Sequence, residues 1–356
     1  MADDSACSYP LTRIEVTYPA HRGRIGLRGS HAPLSWEHTQ AADEVSGDRS
    51  TFRIALSPGE LLEVKLVRDD GEWAAGRNYV LHAGDSMSLE PCFENDAATL
   101  SGPLELEHDG STLTYEVLLP PSYAEQDGRR YPVLYALDGQ SLWSTSSDPF
   151  GVWHLDTELS RLYELDAIEE VIVVGIHTAL GRVEMLSPVP DPKHGGGGAA
   201  GLLSAIVDKL KPRIDAEYRT LADRKNTAIL GSSMGGLFAF VAGWQRADVF
   251  GKLACLSSSF WWADRHVVKE VQNGRCPEPR PLVYIDSGAA LQPSETDPNL
   301  RDGFHHTRSM YRALAEHRYV PGTDLHWLVY TSASHDPASW RARIGIPLQL
   351  LFPAKV

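Results

Sequence analysis

Ser233 lies at the centre of Gly231-Ser232-Ser233-Met234-Gly235, a serine framed by glycines at the two alternate positions. A short β-prone run, Thr227 to Leu230, leads into it. Leu237, Phe240, Val241 and Trp244 follow at i, i+3, i+4 and i+7, the spacing of one helix face. A serine on such a strand-to-helix corner is pressed into an unfavourable backbone conformation that only tiny neighbours permit. In return its Oγ is exposed, and the first amides of the new helix stand beside it to hold a developing oxyanion. That is the chemistry of a nucleophile attacking an acyl carbon. Chance also produces glycine-x-serine-x-glycine in small-residue loops; the strand before it and the helix after it are what give this one weight. A phosphate-binding glycine turn shares that setting, but neither G-x-G-x-x-G nor a G-K-[ST] ending is present.

A serine hydroxyl attacks poorly unless a base takes its proton, and the base needs an acid to orient it. On a sheet of this type the chain order is serine, acid, histidine, the last two after the late strands. Of the fourteen histidines, His335 follows directly on Leu325–Tyr330, the last strand-like run. His305 and His306 read as surface or pocket residues. The acid belongs in the loop after Leu282–Ile285, where Asp297 is the first choice and Glu295 and Asp286 are the alternatives. Asp286 stands so close to Gly288 that it reads as a strand end with a structural role. The oxyanion site needs two donors: the N–H of Met234, and one from Gly139 or Gln140 after the Tyr131–Leu137 strand, where a glycine lets backbone approach a ligand.

These groups must be positioned by regular elements. Up to about Glu94 the chain reads as β structure, with alternation in Leu11–Tyr18, Thr51–Leu56 and Leu62–Val67 and turn signals at Ser57-Pro58-Gly59, Asp69-Asp70-Gly71 and Ala83-Gly84-Asp85. Strands at this interval predict a small immunoglobulin-like β-sandwich over residues 1–96. Val64 to Trp73 resembles a strand, turn and tryptophan of starch-binding-type sandwiches, with Trp73 expected in the core or between domains rather than on a sugar. From Ala97 the pattern changes. Continuous apolar runs at Tyr131–Leu137 and Val171–Ile176 are those of strands buried on both faces of a parallel sheet. They alternate with helical stretches at Leu202–Leu210 and Ala338–Leu351, predicting a mostly parallel, doubly wound α/β domain over 97–356 with its functional loops at the carboxyl ends of the strands.

The chain has 356 residues and a formal net charge of −14. The acidic balance argues against a nucleic-acid partner and against anionic membrane surfaces. No apolar run approaches a membrane span, and the acidic start, Met1 to Ser5, lacks the layout of a secretory signal, so a cytoplasmic protein is expected. The four cysteines are widely spaced with no C-x-x-C pair, so free thiols and no metal site are expected, and no cofactor is called for.

Several stretches together resemble the Putative esterase (esterase D-like) family, and within it the enterochelin esterases that hydrolyse catecholate siderophores. They are Leu137-Asp138-Gly139-Gln140, Gly231 to Leu237, Ser257-Ser258-Ser259-Phe260-Trp261-Trp262 and His335-Asp336-Pro337-Ala338-Ser339-Trp340. The likeness covers roughly residues 110 to 354. It implies an α/β-hydrolase fold, Ser233 and His335 as nucleophile and base, and an acid shortly before a proline, which Asp297-Pro298 fits if the loop is longer here. It also implies a small-molecule ester substrate, a ferric siderophore being the leading one and a feruloyl or acetyl carbohydrate ester the alternative. Trp143, Trp261 and Trp262 are candidate walls for aromatic rings. Arg182, in another family-like stretch, is expected to meet either an anionic substrate group or Glu184. A strongly anionic ferric tris-catecholate calls for a positive cluster, for which Arg130, Arg182, Lys193 and His194 are the candidates.

Overall fold

Alternating apolar and polar residues give strands with one buried face, and two such sheets close on each other in the first part of the chain. The computed structural model describes residues 11–94, 97–288 and 302–354. Eight short strands come first: β1 (Leu11–Thr17), β2 (Ile25–Gly29), β3 (Gln40–Ala41), β4 (Glu44–Ser46), β5 (Arg49–Ala55), β6 (Leu61–Arg68), β7 (Tyr79–His82) and β8 (Ser86–Leu89). They form two four-stranded sheets, β4-β5-β1-β8 and β3-β2-β6-β7. Ile14, Val16, Phe52 and Ile54 of the first sheet share one core with Leu27, Leu62, Val64 and Leu66 of the second. Trp73 departs from expectation: it is 40% exposed. It bridges to Val67 in β6, its ring lies 6.3 Å from that of Trp36, and the Arg28 guanidinium sits 5.0 Å above it.

The second part is built on an eight-stranded sheet: β9 (Thr99–His108), β10 (Ser111–Leu119), β11 (Val133–Leu137), β12 (Ile172–Ile176), β13 (Thr227–Ser232), β14 (Lys252–Leu256), β15 (Leu282–Gly288) and β16 (Leu325–Tyr330). Its order is β16-β15-β14-β13-β11-β12-β10-β9. The six strands from β16 to β12 run parallel, and β10 and β9 join antiparallel. All residues of β11, β12 and β13 are buried, as their unbroken apolar runs require.

Helices cover the sheet: α1 (Leu155–Glu164), α2 (Arg182–Leu186), α3 (Ala199–Ser204), which runs through a π-helical turn (Ala205–Leu210) into α4 (Lys211–Glu217), then α5 (Met234–Gln245), α6 (Trp262–Asn273), α7 (Phe304–Glu316), α8 (Pro337–Arg341) and α9 (Gly345–Leu351). Two findings refine the sequence reading. α5 is buried on every face rather than amphipathic, its residues from Met234 to Trp244 all lying in the interior. The closing stretch after the last strand is two helices, with Asp336 capping the first through the Ser339 N–H. Cys92, Cys255 and Cys276 are free thiols, while Cys7 lies outside the described residues.

The two parts are tied at Glu125, which is fully buried. Its carboxylate accepts the Tyr18 hydroxyl at 2.8 Å, the amides of Phe93 and Glu94 at 2.9 and 3.0 Å, and the Cys92 thiol at 2.6 Å. Four donors converge on one acceptor that water cannot replace. Glu125→Ala should therefore lower unfolding stability by about 2–4 kcal/mol, read from urea denaturation midpoints.

Candidate active site

The corner at Ser233 is as tight as its residue types demand. Ser233 has φ 55° and ψ −120°, a conformation rare outside glycine, and it precedes the first residue of α5. Its N–H donates to the Leu256 carbonyl at 2.9 Å and its carbonyl accepts from the Ser259 N–H at 3.0 Å, so the exit of β14 clamps the strained residue from one side. A Cβ on Gly231 would stand 2.4 Å from the backbone of Gly235, which is why the strand can turn into the helix only with glycine there.

His335 reaches this corner from the loop after β16. Its Nε2 lies 3.0 Å from Ser233 Oγ. Its Nδ1 lies 2.5 Å from Asp302 Oδ1. A carboxylate only accepts, so it holds the ring proton on Nδ1 and leaves the Nε2 lone pair facing the serine hydroxyl. The imidazole packs edge-on against Trp340 at 5.2 Å, and Trp340 in turn lies 5.8 Å from Trp153. The Asp302 side chain is 2% exposed while that of His335 is 44% exposed. The Asp302 carboxylate is thus sealed beneath an imidazole that is partly open to solvent.

Asp302 is the carboxylate that sequence reasoning missed. Asp297 and Glu295 lie outside the described residues, and the Nδ1 position expected for either is taken by Asp302. Asp302 comes immediately before Gly303 and helix α7, at the far end of the loop in which the acid was sought. Nothing in residue spacing separates it from Asp297. Asp286, the remaining alternative, is fully buried and bound by Arg343 Nε and Nη2 at 3.0 Å each, away from the imidazole. Burial pushes its carboxyl up, and the guanidinium pulls it back.

The segment expected to furnish oxyanion donors lies beside the corner. Met234 N–H belongs to the first turn of α5, where a helix has no partner of its own to offer. Gly139 to Ser141 form a 3-10 turn at the end of β11. A Cβ on Gly139 would come 2.6 Å from the Gly175 carbonyl carbon, so only glycine lets this turn settle on β12. Gln140 accepts the Thr178 N–H through Oε1 at 3.2 Å.

Arg182 departs from both expected roles. Its Nε and Nη2 each donate to the Asp138 carboxylate at 2.8 Å, and Nη2 also reaches the Ser232 carbonyl at 3.2 Å. Glu184 is not its partner; Asp138 is, because Asp138 sits with φ 60° where β11 ends and turns its carboxylate toward α2. The pair links the Gly139 turn to the serine corner and neutralises the guanidinium.

The tryptophans divide. Trp261 is half-buried two residues from Ser259, whose Oγ is 3.4 Å from Ser233 Oγ. Trp262 is buried with its indole N–H on the Val189 carbonyl at 2.8 Å, and Trp143 is buried with its indole N–H on Glu116 at 2.6 Å. Both satisfy their polar atom inside the core and present no open wall, a correction to their expected role. Arg130 donates to the Thr220 carbonyl before the amino end of β11, the opposite end from Ser233. Lys193 and His194 have their amides on Asp191, and the His194 ring lies 5.9 Å from Trp261. Among the described residues no three His, Cys, Asp or Glu side chains converge to hold a metal, and no helix is long and apolar enough to cross a membrane.

Comparison with known proteins follows the same lines. Residues 108–346 match the Putative esterase family. Ferri-bacillibactin esterase BesA of Bacillus subtilis (strain 168) is 25% identical over 179 residues, 45% of this chain and 58% of that protein. The chain likewise spans 60% or less of the length of the other curated relatives it matches. The fold is shared with ferric enterobactin esterase (fes) of Salmonella typhimurium at a TM-score of 0.53 and 16% identity, over 92% of this chain and 88% of that one. It is also shared with a ferulic acid esterase at a TM-score of 0.55 and 20% identity, over 72% of this chain and 99% of that one. With well over half its length matched, and a glycine-framed serine facing the histidine after the last strand, the chain belongs to the Putative esterase family.

Proposed function

We propose that this protein is a serine carboxylic-ester hydrolase working through an acyl-enzyme, with Ser233 as nucleophile, His335 as base and Asp302, in place of Asp297, as the acid. The observation that carries the reading is the continuous hydrogen-bonded line from Ser233 Oγ through His335, 3.0 Å at Nε2 and 2.5 Å at Nδ1, to a buried carboxylate. His335 Nε2 takes the serine proton as Oγ attacks the ester carbonyl, and Asp302 stabilises the imidazolium that results. Met234 N–H and an amide of the Gly139–Gln140 turn hold the oxyanion. The imidazolium returns its proton to the departing alcohol, and water activated by the same nitrogen then frees the acid.

The leading substrate is a seryl or threonyl ester of a catecholate siderophore, hydrolysed in the cytoplasm; the names of the relatives support that class. The second reading, a feruloyl-type aromatic ester, is favoured by one observation: the Arg182 charge is cancelled by Asp138, and Arg130 lies at the wrong end of β11, so fewer cations than expected face the serine. The half-buried Trp261 suits an aromatic ring in either case. In this reading residues 1–96 form an immunoglobulin-like sandwich and residues 97–356 the catalytic domain.

A hydrolysis panel of ferric and metal-free catecholate trilactones, feruloyl esters and p-nitrophenyl esters tests the assignment; turnover of none of them would overturn it. Ser233→Ala should abolish fluorophosphonate labelling and reduce hydrolysis about a thousandfold or more with the thermal melt unchanged. Asp302→Asn should cost roughly a hundredfold or more in kcat, whereas Asp297→Asn should stay within about threefold; the reverse would return the acid to Asp297. Arg182→Met should lower kcat about tenfold with little change in KM, since it frees the oxyanion turn from the serine corner.

A further inference from the structure

Behind Asp302 lies a second carboxylate and a guanidinium that the reaction as written does not use. Asp302 Oδ2, the oxygen turned away from His335, accepts the Ser257 hydroxyl at 2.6 Å and also the Gly288 N–H. Ser257 Oγ in turn accepts from Arg343 Nη2 at 2.5 Å. Arg343, between α8 and α9, has a side chain 2% exposed; it grips Asp286 with two hydrogen bonds and stands 3.6 Å from Asp302 Oδ2. Asp286 also accepts the Tyr284 hydroxyl at 2.8 Å and the Ser257 N–H at 3.0 Å, and the Tyr330 ring lies 5.0 Å from the guanidinium.

The charges are the point. Burying an ion pair costs several kcal/mol per ion, and apolar side chains of the same volume commonly stabilise a fold as well or better. A pair placed here for packing alone would therefore be a poor solution. A lone Arg343 beside Asp302 would be worse for catalysis, because it would cancel the negative charge on which the imidazolium depends. With Asp286 present, the sealed cluster of Asp286, Arg343 and Asp302 carries one net negative charge, and the guanidinium spends its own on Asp286.

We propose that the Asp286–Arg343 pair is a positioning and charge-setting unit for the triad: Arg343 orients Asp302 through the Ser257 hydroxyl, and Asp286 cancels the guanidinium so that Asp302 keeps its full charge for His335. This rests on the reading of Ser233, His335 and Asp302 as a triad. Among the described residues, the titratable and charged groups bonded to or ringing the cluster are Asp286 and Tyr284 from β15, Tyr330 from β16, His335 from the following loop, Asp302 ahead of α7, and Arg343 ahead of α9. Asp336 is turned to the Ser339 N–H and His305 to Arg308.

The sign of the effect follows from the count. Asp286→Asn takes the cluster from one net negative charge to none, so the protonated imidazole loses support and forms only at lower pH. The acidic limb of the kcat/KM profile on a p-nitrophenyl ester should move about one unit to lower pH, with kcat near neutrality down about tenfold. Asp286→Asn combined with Arg343→Met restores one negative charge and should return the limb to its wild-type position, although kcat stays low because Ser257 has lost its donor. An unmoved limb in Asp286→Asn, or one that the double variant does not restore, would overturn the proposal. Should Asp286→Asn fail to fold, Ser257→Ala decides: kcat falls about tenfold at unchanged KM if the hydroxyl relays Arg343 to Asp302, and a wild-type kcat rules that out. Failure of the triad reading itself looks different, since hydrolysis would then survive Ser233→Ala and fluorophosphonate would leave the wild-type serine unlabelled.

Discussion

A hydroxyl on a strained corner and an imidazole one hundred residues further along the chain meet at 3.0 Å, and the second half of the fold is arranged around keeping them there. The contact is a constraint before it is an interaction. Ser233 holds its unfavourable φ only because β13 and α5 are packed on every side and because the end of β14 and the turn that follows it bond its N–H and its carbonyl. His335 holds its ring only because Trp340 stands edge-on behind it and Asp302 fixes its tautomer. Neither residue could sustain the geometry from its own local sequence.

The carboxyl ends of the parallel strands supply every part of the site. β11 ends in Asp138 and the Gly139 turn, β13 in Ser233, β14 in Ser257 to Ser259, β15 in the Asp286–Gly288 stretch and β16 in the His335 loop. Adjacent strands in register bring these ends within a few ångströms of one another, which is why residues dispersed over two hundred positions converge. Charge is handled inside this layer by pairing. Asp138 takes up Arg182, Asp286 takes up Arg343, and Asp302 faces His335. A buried cation near a general base is tolerable only when another anion answers it.

The N-terminal sheets meet the α/β half through a buried acceptor, Glu125, with donors drawn from β-sheet connections on the other side. Polar attachment of this kind fixes orientation through hydrogen-bond geometry rather than through area buried. Half-buried Trp36 and exposed Trp73 stand together on that first unit, outside its core.

Much of this is legible in the sequence alone. The apolar run at Tyr131–Leu137 reads as a strand buried on both faces, and the small residues around Ser233, between a β-prone run and a helix face, read as a tight corner, because both follow from local sterics and from the need to bury two faces of a strand. His335 was legible because it follows the last strand. Side-chain partnerships were not. Asp297 and Asp302 are five positions apart in the sequence with the same chemistry, and Arg182 has Glu184 two residues away yet bonds Asp138 at the end of β11. Trp143 and Trp262 are candidate walls for an aromatic substrate under the family resemblance, but their indole N–H groups are satisfied within the core. Sequence determined which strands and helices form and in what order, since backbone conformation and burial pattern are local properties. Only tertiary structure decided which charge meets which, because an ion pair or a catalytic hydrogen bond depends on how strand ends lie beside one another, and no spacing along the chain encodes that distance.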